Sequence, residues 1–284
     1  MENLWIYFII IYAFLRAARE AMKKMAVTKT PILHILFLYT FIGFLLALPQ
    51  AKEALALSPV FISAAFAKAF FCYMAWLLSL YALRRMPVSL FGLLSLSGVL
   101  FSTIFSMVFF HEVLTVPKVL GLGLVLLGLL LVNRREEHTG GGLDARGTVA
   151  VLLSCLFNSS SAVIDKAVLV HITPTALQFW FMLFLAALSA AFLLFRKEKI
   201  SFHPLKTNFW VPLMSLTLVY GDLLWFAAQK DPNSQLLLIT LLNQSSILFT
   251  LLIGRIFFKE KDILYKLFCA AIIVSGIVLP LFAA

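Results

Sequence analysis

The chain has 284 residues, 62% of them apolar and only 13% charged, with a formal net charge of +10. An ordinary soluble domain carries roughly 45–50% apolar and about 25% charged residues, and at this length a soluble fold exposes too much surface to hide the excess. With a mean hydropathy of +1.01, the composition excludes a water-soluble globular enzyme, a disordered chain and a coiled coil, and leaves a polytopic membrane protein.

A helix needs about 20 mostly apolar residues to cross the bilayer core. In chain order, such runs predict spans at 3–25, 31–49, 59–83, 87–110 and 114–132, then at 148–170, 174–195, 209–229, 233–254 and 263–281. Pro31, Pro49, Pro59, Pro87, Pro117, Pro174 and Pro232 punctuate the breaks. The spans are read as helices because an open sheet cannot satisfy its backbone in lipid. The first run follows no basic segment and lacks an A-x-A cleavage site, so it reads as a retained helix and not a signal peptide. Residues 133–147, NRREEHTGGGLDARG, form the long polar stretch. No Gly-Lys-Ser/Thr follows its triple glycine, so it reads as a flexible linker between residues 1–132 and 148–284 rather than a phosphate loop.

The two halves repeat. At a shift of 148, Phe109-Phe110-His111-Glu112 falls on Phe257-Phe258-Lys259-Glu260, Lys118 on Lys266 and Gly128 on Gly276. Gly92, Ser95, Gly98, Ser102 and Ser106 fall on Thr240, Asn243, Ser246, Thr250 and Gly254. Each set occupies an arc of roughly 120° on a helical wheel, and small, weakly polar faces in lipid mean close packing or a polar pathway. At a shift of 143, Lys23 with Pro31 falls on Lys166 with Pro174. Five spans per half is an odd number, so the second half enters from the opposite side and the repeat is expected to be inverted.

Lys and Arg give the orientation. One face holds Arg16, Arg19, Lys23, Lys24, Lys29, Arg84, Arg85, Arg134, Arg135, Arg146, Arg196, Lys197, Lys199, Lys206, Arg255, Lys259, Lys261 and Lys266, eighteen in all. The other holds Lys52, Lys118 and Lys230. The positive-inside rule places the richer face in the cytoplasm and both termini outside. The net charge is thus topological. No zinc finger, RNP pattern or basic-aromatic sheet points to nucleic acid. Cys72, Cys155 and Cys269 lie within apolar runs and form no disulfide framework or CxxC metal site.

Ionisable groups at membrane depth cost about 2.5–3.5 kcal/mol each on insertion scales and are functional candidates by default. Lys68 in span 3 and Asp222 in span 8 sit at similar depths, and are expected to face a central cavity and share a substrate site. Cys72, Trp76 and Ser79 share the face of Lys68; Ser215, Trp225 and Gln229 share that of Asp222. An acid among aromatic rings suits an amine, and a nearby Lys suits a carboxylate. Ser154, Asn158, Ser161 and Asp165 form one stripe along span 6, read as a cavity wall. In span 1, Arg16 is deep enough to reach the pathway, while Arg19 and Lys23 are expected to snorkel to the interface. Asn243 and Gln244 offer amide donors and acceptors mid-span, and Ser95, Ser102 and Thr250 complete the cavity candidates. Catalytic, metal and cofactor sites are not expected: no HExxH, Asp-rich motif or Ser/His/Asp constellation occurs.

The stretch LYALRRMPVSLFGLLSLSGVLFSTIFSMVFFHEVLTVPKVLGLGLVLLGLLLV, Leu80 to Val132, resembles the second part of an EamA-type repeat. Phe226 to Phe282 repeats it, with NQSSILFTLLIGRIFFKE before the tenth span. The whole chain resembles the drug/metabolite transporter superfamily. Many members carry a Pro within the fourth helix, where this chain has Ser97-Gly98-Val99, and many have cytoplasmic termini, opposite to the charge bias here. The resemblance implies ten helices in two inverted fives and a secondary transporter of a small polar metabolite, an amine, amino acid or similar, working by alternating access across the cytoplasmic membrane. Asp222, Asp165 and Glu20 are the groups able to carry a coupling proton. A lipid-linked glycan flippase or accessory membrane subunit on the same fold is the alternative.

Overall fold

The computed structural model describes residues 4–111, 115–138, 144–199, 202, 204, 208–243, 245–258 and 263–282. Helices run in sequence: α1 Leu4–Val27, α2 Ile32–Ala47, α3 Ala51–Ala54, α4 Pro59–Arg85, α5 Val88–Ser95, α6 Gly98–Phe110 and α7 Val116–His138. The second half follows with α8 Ala145–Leu169, α9 Pro174–Phe195, α10 Trp210–Lys230, α11 Leu236–Asn243, α12 Ser246–Phe258 and α13 Ile263–Phe282. No strand occurs among the described residues. The starts follow ordinary capping chemistry. Asp144 accepts from the Arg146 amide, Thr173 accepts from the Ala176 amide, and Pro59 and Pro174 open α4 and α9 where an amide hydrogen is not needed.

Six stretches among the described residues are long and apolar enough to cross a membrane: Ile32–Ala54, Pro59–Arg85, Leu90–Phe110, Ala145–Leu169, Pro174–Phe195 and Trp210–Lys230. α1 has the length but also carries Arg16, Arg19, Glu20 and Lys23.

Spans 4 and 9, read from sequence as continuous over 87–110 and 233–254, are each broken in two. Both breaks take the same form at the same repeat position. The Ser97 amide bonds to Leu94 O at 3.0 Å, and the Ser245 amide to Leu242 O at 3.0 Å. The Leu100 amide bonds to Ser97 O at 3.0 Å, and the Leu248 amide to Ser245 O at 3.1 Å. These bonds between residues three apart tighten the chain into a 3₁₀-like turn. Ser and Gly at 97–98 hold the α-helix weakly, so the turn forms without a proline.

Packing respects the repeat. α4 lies against α8 as α10 lies against α1, and α4 meets α9 as α10 meets α2. α6 packs on α8 as α12 packs on α1, and α5 on α12 as α11 on α6. α2 with α9, and α7 with α13, pair with each other. Exchanging the halves turns each of these contacts into another of them or into itself; α3 on α9 and α12 on α13 have no counterpart of similar extent among the described residues. Lysines follow suit: Lys24 on α1 donates to Leu83 O in the last turn of α4 and to Met86 O just after it, at 2.5 and 2.8 Å. Lys166 on α8 donates to Gln229 O in the last turn of α10 and to Ser234 O after it, at 2.9 and 2.7 Å. By role, therefore, Lys24 and not Lys23 is the counterpart of Lys166. The ammonium satisfies C-terminal carbonyls and meets the negative end of the helix dipole.

The α7–α13 pair is close enough to need Gly128. A Cβ there would overlap the Ile273 side chain and sit 3.2 Å from Cys269 O. Gly128→Val is expected to push the helices apart, at about 1–3 kcal/mol for overpacking, read as a lower melting temperature in detergent.

Ties between connecting segments sort into two sets. In one, Arg85 donates to Asp144 at 2.9 Å, Asn208 to Ala26 O at 3.2 Å and Tyr265 to Leu131 O at 2.8 Å, and His34 lies 3.3 Å from Glu198. In the other, Glu53 accepts from Thr173 and Thr175, Trp180 donates to Ala54 O at 2.8 Å, and Lys230 donates to Ile172 O at 3.1 Å. Numbered by the spans expected from the sequence, the first set uses segments after spans 1, 3, 5, 7 and 9; the second uses those after spans 2, 6 and 8. The Arg85 hydrogen bond holds the Asp144 carboxyl below the usual carboxylate range. A lowered folded value means the tie contributes above the ordinary carboxylate pKa and is lost as pH falls through the lowered one. Asp144→Asn is expected to remove that acid dependence, seen as a flatter melting temperature between neutral pH and about pH 3.

Candidate functional site

Where α1, α4, the α5–α6 turn, α8, α10 and α11 converge, they line a partly open cavity with about 150 Å³ of free space. On α1, Tyr12, Arg16, Arg19, Glu20 and Lys23 reach it because three- and four-residue steps keep one helical face. Lys68, Cys72, Trp76 and Ser79 do the same on α4, and Ser154, Asn158, Ser161 and Asp165 on α8. Phe91, Ser95, Gly98 and Ser102 come from around the α5–α6 turn, Asp222, Trp225 and Phe226 from α10, Thr240 and Asn243 from α11, and Phe181 from α9.

The charges are organised in pairs. Lys68 is 3% exposed. Its Nζ lies 2.6 Å from Asp165 Oδ1 and 2.8 Å from Oδ2, and donates to Ser161 at 3.4 Å. The ammonium also stands 4.1 Å from the ring centre of Phe181 and 4.8 Å from that of Phe226, a cation held over aromatic faces. Asp222 faces Arg19 at 3.6 Å, too long for a hydrogen bond. Arg19 donates to the Tyr12 hydroxyl at 3.4 Å, and Tyr12 leans on Trp225 with ring centres 5.0 Å apart. Lys23 pairs with Glu20 at 2.9 Å and lies 5.7 Å from the Trp76 ring centre.

Both Lys68 and Asp222 line the cavity, but they do not pair with each other: Asp165 takes the first and Arg19 the second. Trp76, Trp225, Asn158, Asp165, Asn243, Ser95, Ser102 and Arg16 line it as well. Ser102 shares a hydrogen bond with Ser159 at 3.1 Å, and Ser95 donates back to Phe91 O at 2.7 Å. Thr250 requires correction: it is not among the lining residues. Its hydroxyl donates to Ser246 O at 2.9 Å and its methyl abuts Gly92, so it packs α12 against α5. Gln244 lies outside the described residues. Arg19 and Lys23 do not snorkel; they are 6% and 4% exposed and point inward. Their i, i+3, i+7 register with Arg16 was the signal for that, outweighed in the sequence reading by nearness to the span end.

The halves contribute unequally. Lys24 opposite Lys166 fixes a shift of 142 between α1 and α8. Tyr12, Arg16, Arg19 and Lys23 then stand opposite Ser154, Asn158, Ser161 and Asp165, and all eight line the cavity. Every cation in the lining comes from α1 or α4, while Asp165 and Asp222 come from the second half. The Lys68–Asp165 and Arg19–Asp222 pairs therefore cross between halves, along the α4–α8 and α1–α10 contacts.

A family model, the EamA-like transporter family, matches residues 3–134 and again residues 145–282. A solved structure titled "Crystal structure of protein" is similar over 100% of this chain and 97% of its own, with 19% identity and a TM-score of 0.73, a likeness of fold. No curated protein sequence matches the chain.

Proposed function

The chain belongs to the EamA-like transporter family, and from that premise we propose that it carries a small polar metabolite, of the size of an amine or amino acid, across the cytoplasmic membrane by alternating access. The observation that carries the reading is the cavity itself, lined jointly by both halves and crossed by the Lys68–Asp165 and Arg19–Asp222 pairs. A site shared by two repeats can face either side as the repeats rock. The lining residues from Arg16 to Asn243 are the proposed contacts, with Lys68, Asp165 and Asp222 central.

Ten crossings in two inverted fives are part of the same proposal. Ten alternating passes require that segments after odd-numbered spans meet only each other, and likewise those after even-numbered ones; the two sets of ties sort that way. The Lys24 and Lys166 bonds fall in opposite sets, as counterparts in an inverted repeat must. With Arg16, Arg19 and Lys23 set aside because they line the cavity, fifteen basic residues remain on one face against three on the other, which supports a cytoplasmic placement of that face and both termini outside. A reporter active only in the cytoplasm is expected to be silent when fused after Ala284; a strong signal there reverses the orientation.

The test of transport uses purified protein in liposomes loaded with a mixture of small polar metabolites. Protein-dependent loss of particular solutes, abolished by Asp222→Asn, is the expected result. Identical retention with and without protein, in either buffer gradient, overturns the reading.

A further inference from the structure

The cavity counts its own charges. Its described lining holds four cations, Arg16, Arg19, Lys23 and Lys68, and three carboxylates, Glu20, Asp165 and Asp222. Each carboxylate already has a cation: Asp165 has Lys68 at 2.6 Å, Glu20 has Lys23 at 2.9 Å and Asp222 has Arg19 at 3.6 Å. Among the described residues, Arg16 is the lining cation with no carboxylate in ion-pair reach. An uncompensated charge at membrane depth is costly and marks a place where a counter-charge arrives.

We infer that the substrate is a small organic monoanion, a carboxylate held between Arg16 and the unpartnered edge of Arg19; the inference rests on the transport reading and narrows it. Arg19 supplies the second, independent observation. It is 6% exposed, yet its Nε and Nη1 have no hydrogen-bond partner. Its contact with Tyr12 uses Nη2 alone. Arg16 and Arg19 are three residues apart, neighbours on one helical face, and two guanidinium groups in that relation suit the planar, two-pronged geometry of a carboxylate.

The same count argues against other classes. An amine entering the cavity finds every carboxylate engaged and raises a net charge that is already positive. A phosphate dianion brings more charge than the single uncompensated cation balances. A zwitterion satisfies Arg16 and then needs a carboxylate for its ammonium. Tyr12, Trp225, Trp76 and Phe91 leave an aromatic-walled remainder. The cavity has about 150 Å³ of free space, enough for a benzene-sized group, so benzoate or a six-carbon acid fits it.

The experiment uses the full chain in lipid nanodiscs. Benzoate, hexanoate and 4-methyl-2-oxopentanoate are titrated against benzamide, hexanamide, benzylamine, hexylamine and leucine, with melting temperature as the readout. At least one of the acids is expected to raise the melting temperature, and its own amide and amine, where tested, are not. Arg16→Gln should weaken that acid at least tenfold, and Arg16→Lys should retain most of the binding. If Arg16→Gln does not fold, the acid–amide contrast in the native chain and the Arg16→Lys titration decide the matter alone. Binding of amines or amides as tight as that of the acids overturns the inference, as does binding of none of the acids, or acid affinity unchanged in Arg16→Gln. Counterflow in liposomes separates the two readings. Carried amines with excluded acids overturn the monoanion and keep the transporter; acids that bind but are never exchanged keep the site and overturn transport.

Discussion

Lys68→Met is expected to lower the stability of the folded chain by about 3–5 kcal/mol, the usual cost of leaving one member of a buried ion pair uncompensated. The size follows from geometry. Lys68 Nζ is 2.6 and 2.8 Å from the two Asp165 oxygens, and both side chains are almost wholly buried. Removing the ammonium strands the buried Asp165 carboxylate, which has no second cation within ion-pair distance among the described residues. The pair also joins α4 to α8, so the loss falls on the contact between the halves. The control is Lys68→Met with Asp165→Leu. Replacing both members by apolar groups removes the stranded charge, and comparable double replacements elsewhere are often neutral or stabilising. Thermal melts of both variants give the comparison. A single variant as stable as the parent, or a double variant no better than the single one, contradicts this account of the pair.

Helix positions were legible in the sequence because hydropathy and length control them almost alone in lipid. Pro59, Pro87 and Pro174 mark starts correctly since a first turn does not need the amide hydrogen that proline lacks. That α5 ends at Ser95 and α6 begins at Gly98, and that α11 ends at Asn243 and α12 begins at Ser246, was not legible. A purely apolar window does not distinguish a continuous helix from one with a 3₁₀-like turn, and the residues at hand, Ser97 and Gly98 in one and Ser245 and Ser246 in the other, have a weak preference that packing decides. That Lys68, Asp165 and Asp222 face inward was legible because lipid penalises an outward charge. Their pairing was not, since it depends on which helices touch. Lys68 met Asp165 rather than Asp222 because α4 packs on α8, a contact that no one-dimensional pattern contains. Arg19 and Lys23 were assigned outward because a long side chain near a span end can snorkel; inside the bundle, Tyr12, Asp222, Glu20 and Trp76 offer closer partners than the interface does. Thr250 shows the converse. A hydroxyl on a small-residue face can belong to a helix contact, and Gly92 opposite it explains why the methyl is tolerated there.

Asp222→Asn is expected to separate stability from transport. The carboxylate stands 3.6 Å from Arg19, an ångström farther than the Lys68–Asp165 contact, so its loss should cost well under the cost of Lys68→Met. The amide keeps the shape of the side chain, and folding should survive, shown by a monodisperse profile in detergent and a melting temperature within a few degrees of the parent. Transport should fall at least tenfold, which corresponds to about 1.4 kcal/mol. The reason lies in what Asp222 does between loads. With the carboxylate present, Arg19 is partly satisfied when the cavity is empty, and an arriving anion has to share it. With the amide present, Arg19 joins Arg16 as an uncompensated cation at membrane depth. An anion then binds without competition and is released slowly, so affinity is kept or rises while turnover collapses. Equilibrium binding and initial rates measured on the same preparation test the two halves of that statement. Unchanged turnover in Asp222→Asn removes Asp222 from the transport cycle, and weakened anion binding in the variant contradicts the competition between substrate and Asp222 for Arg19.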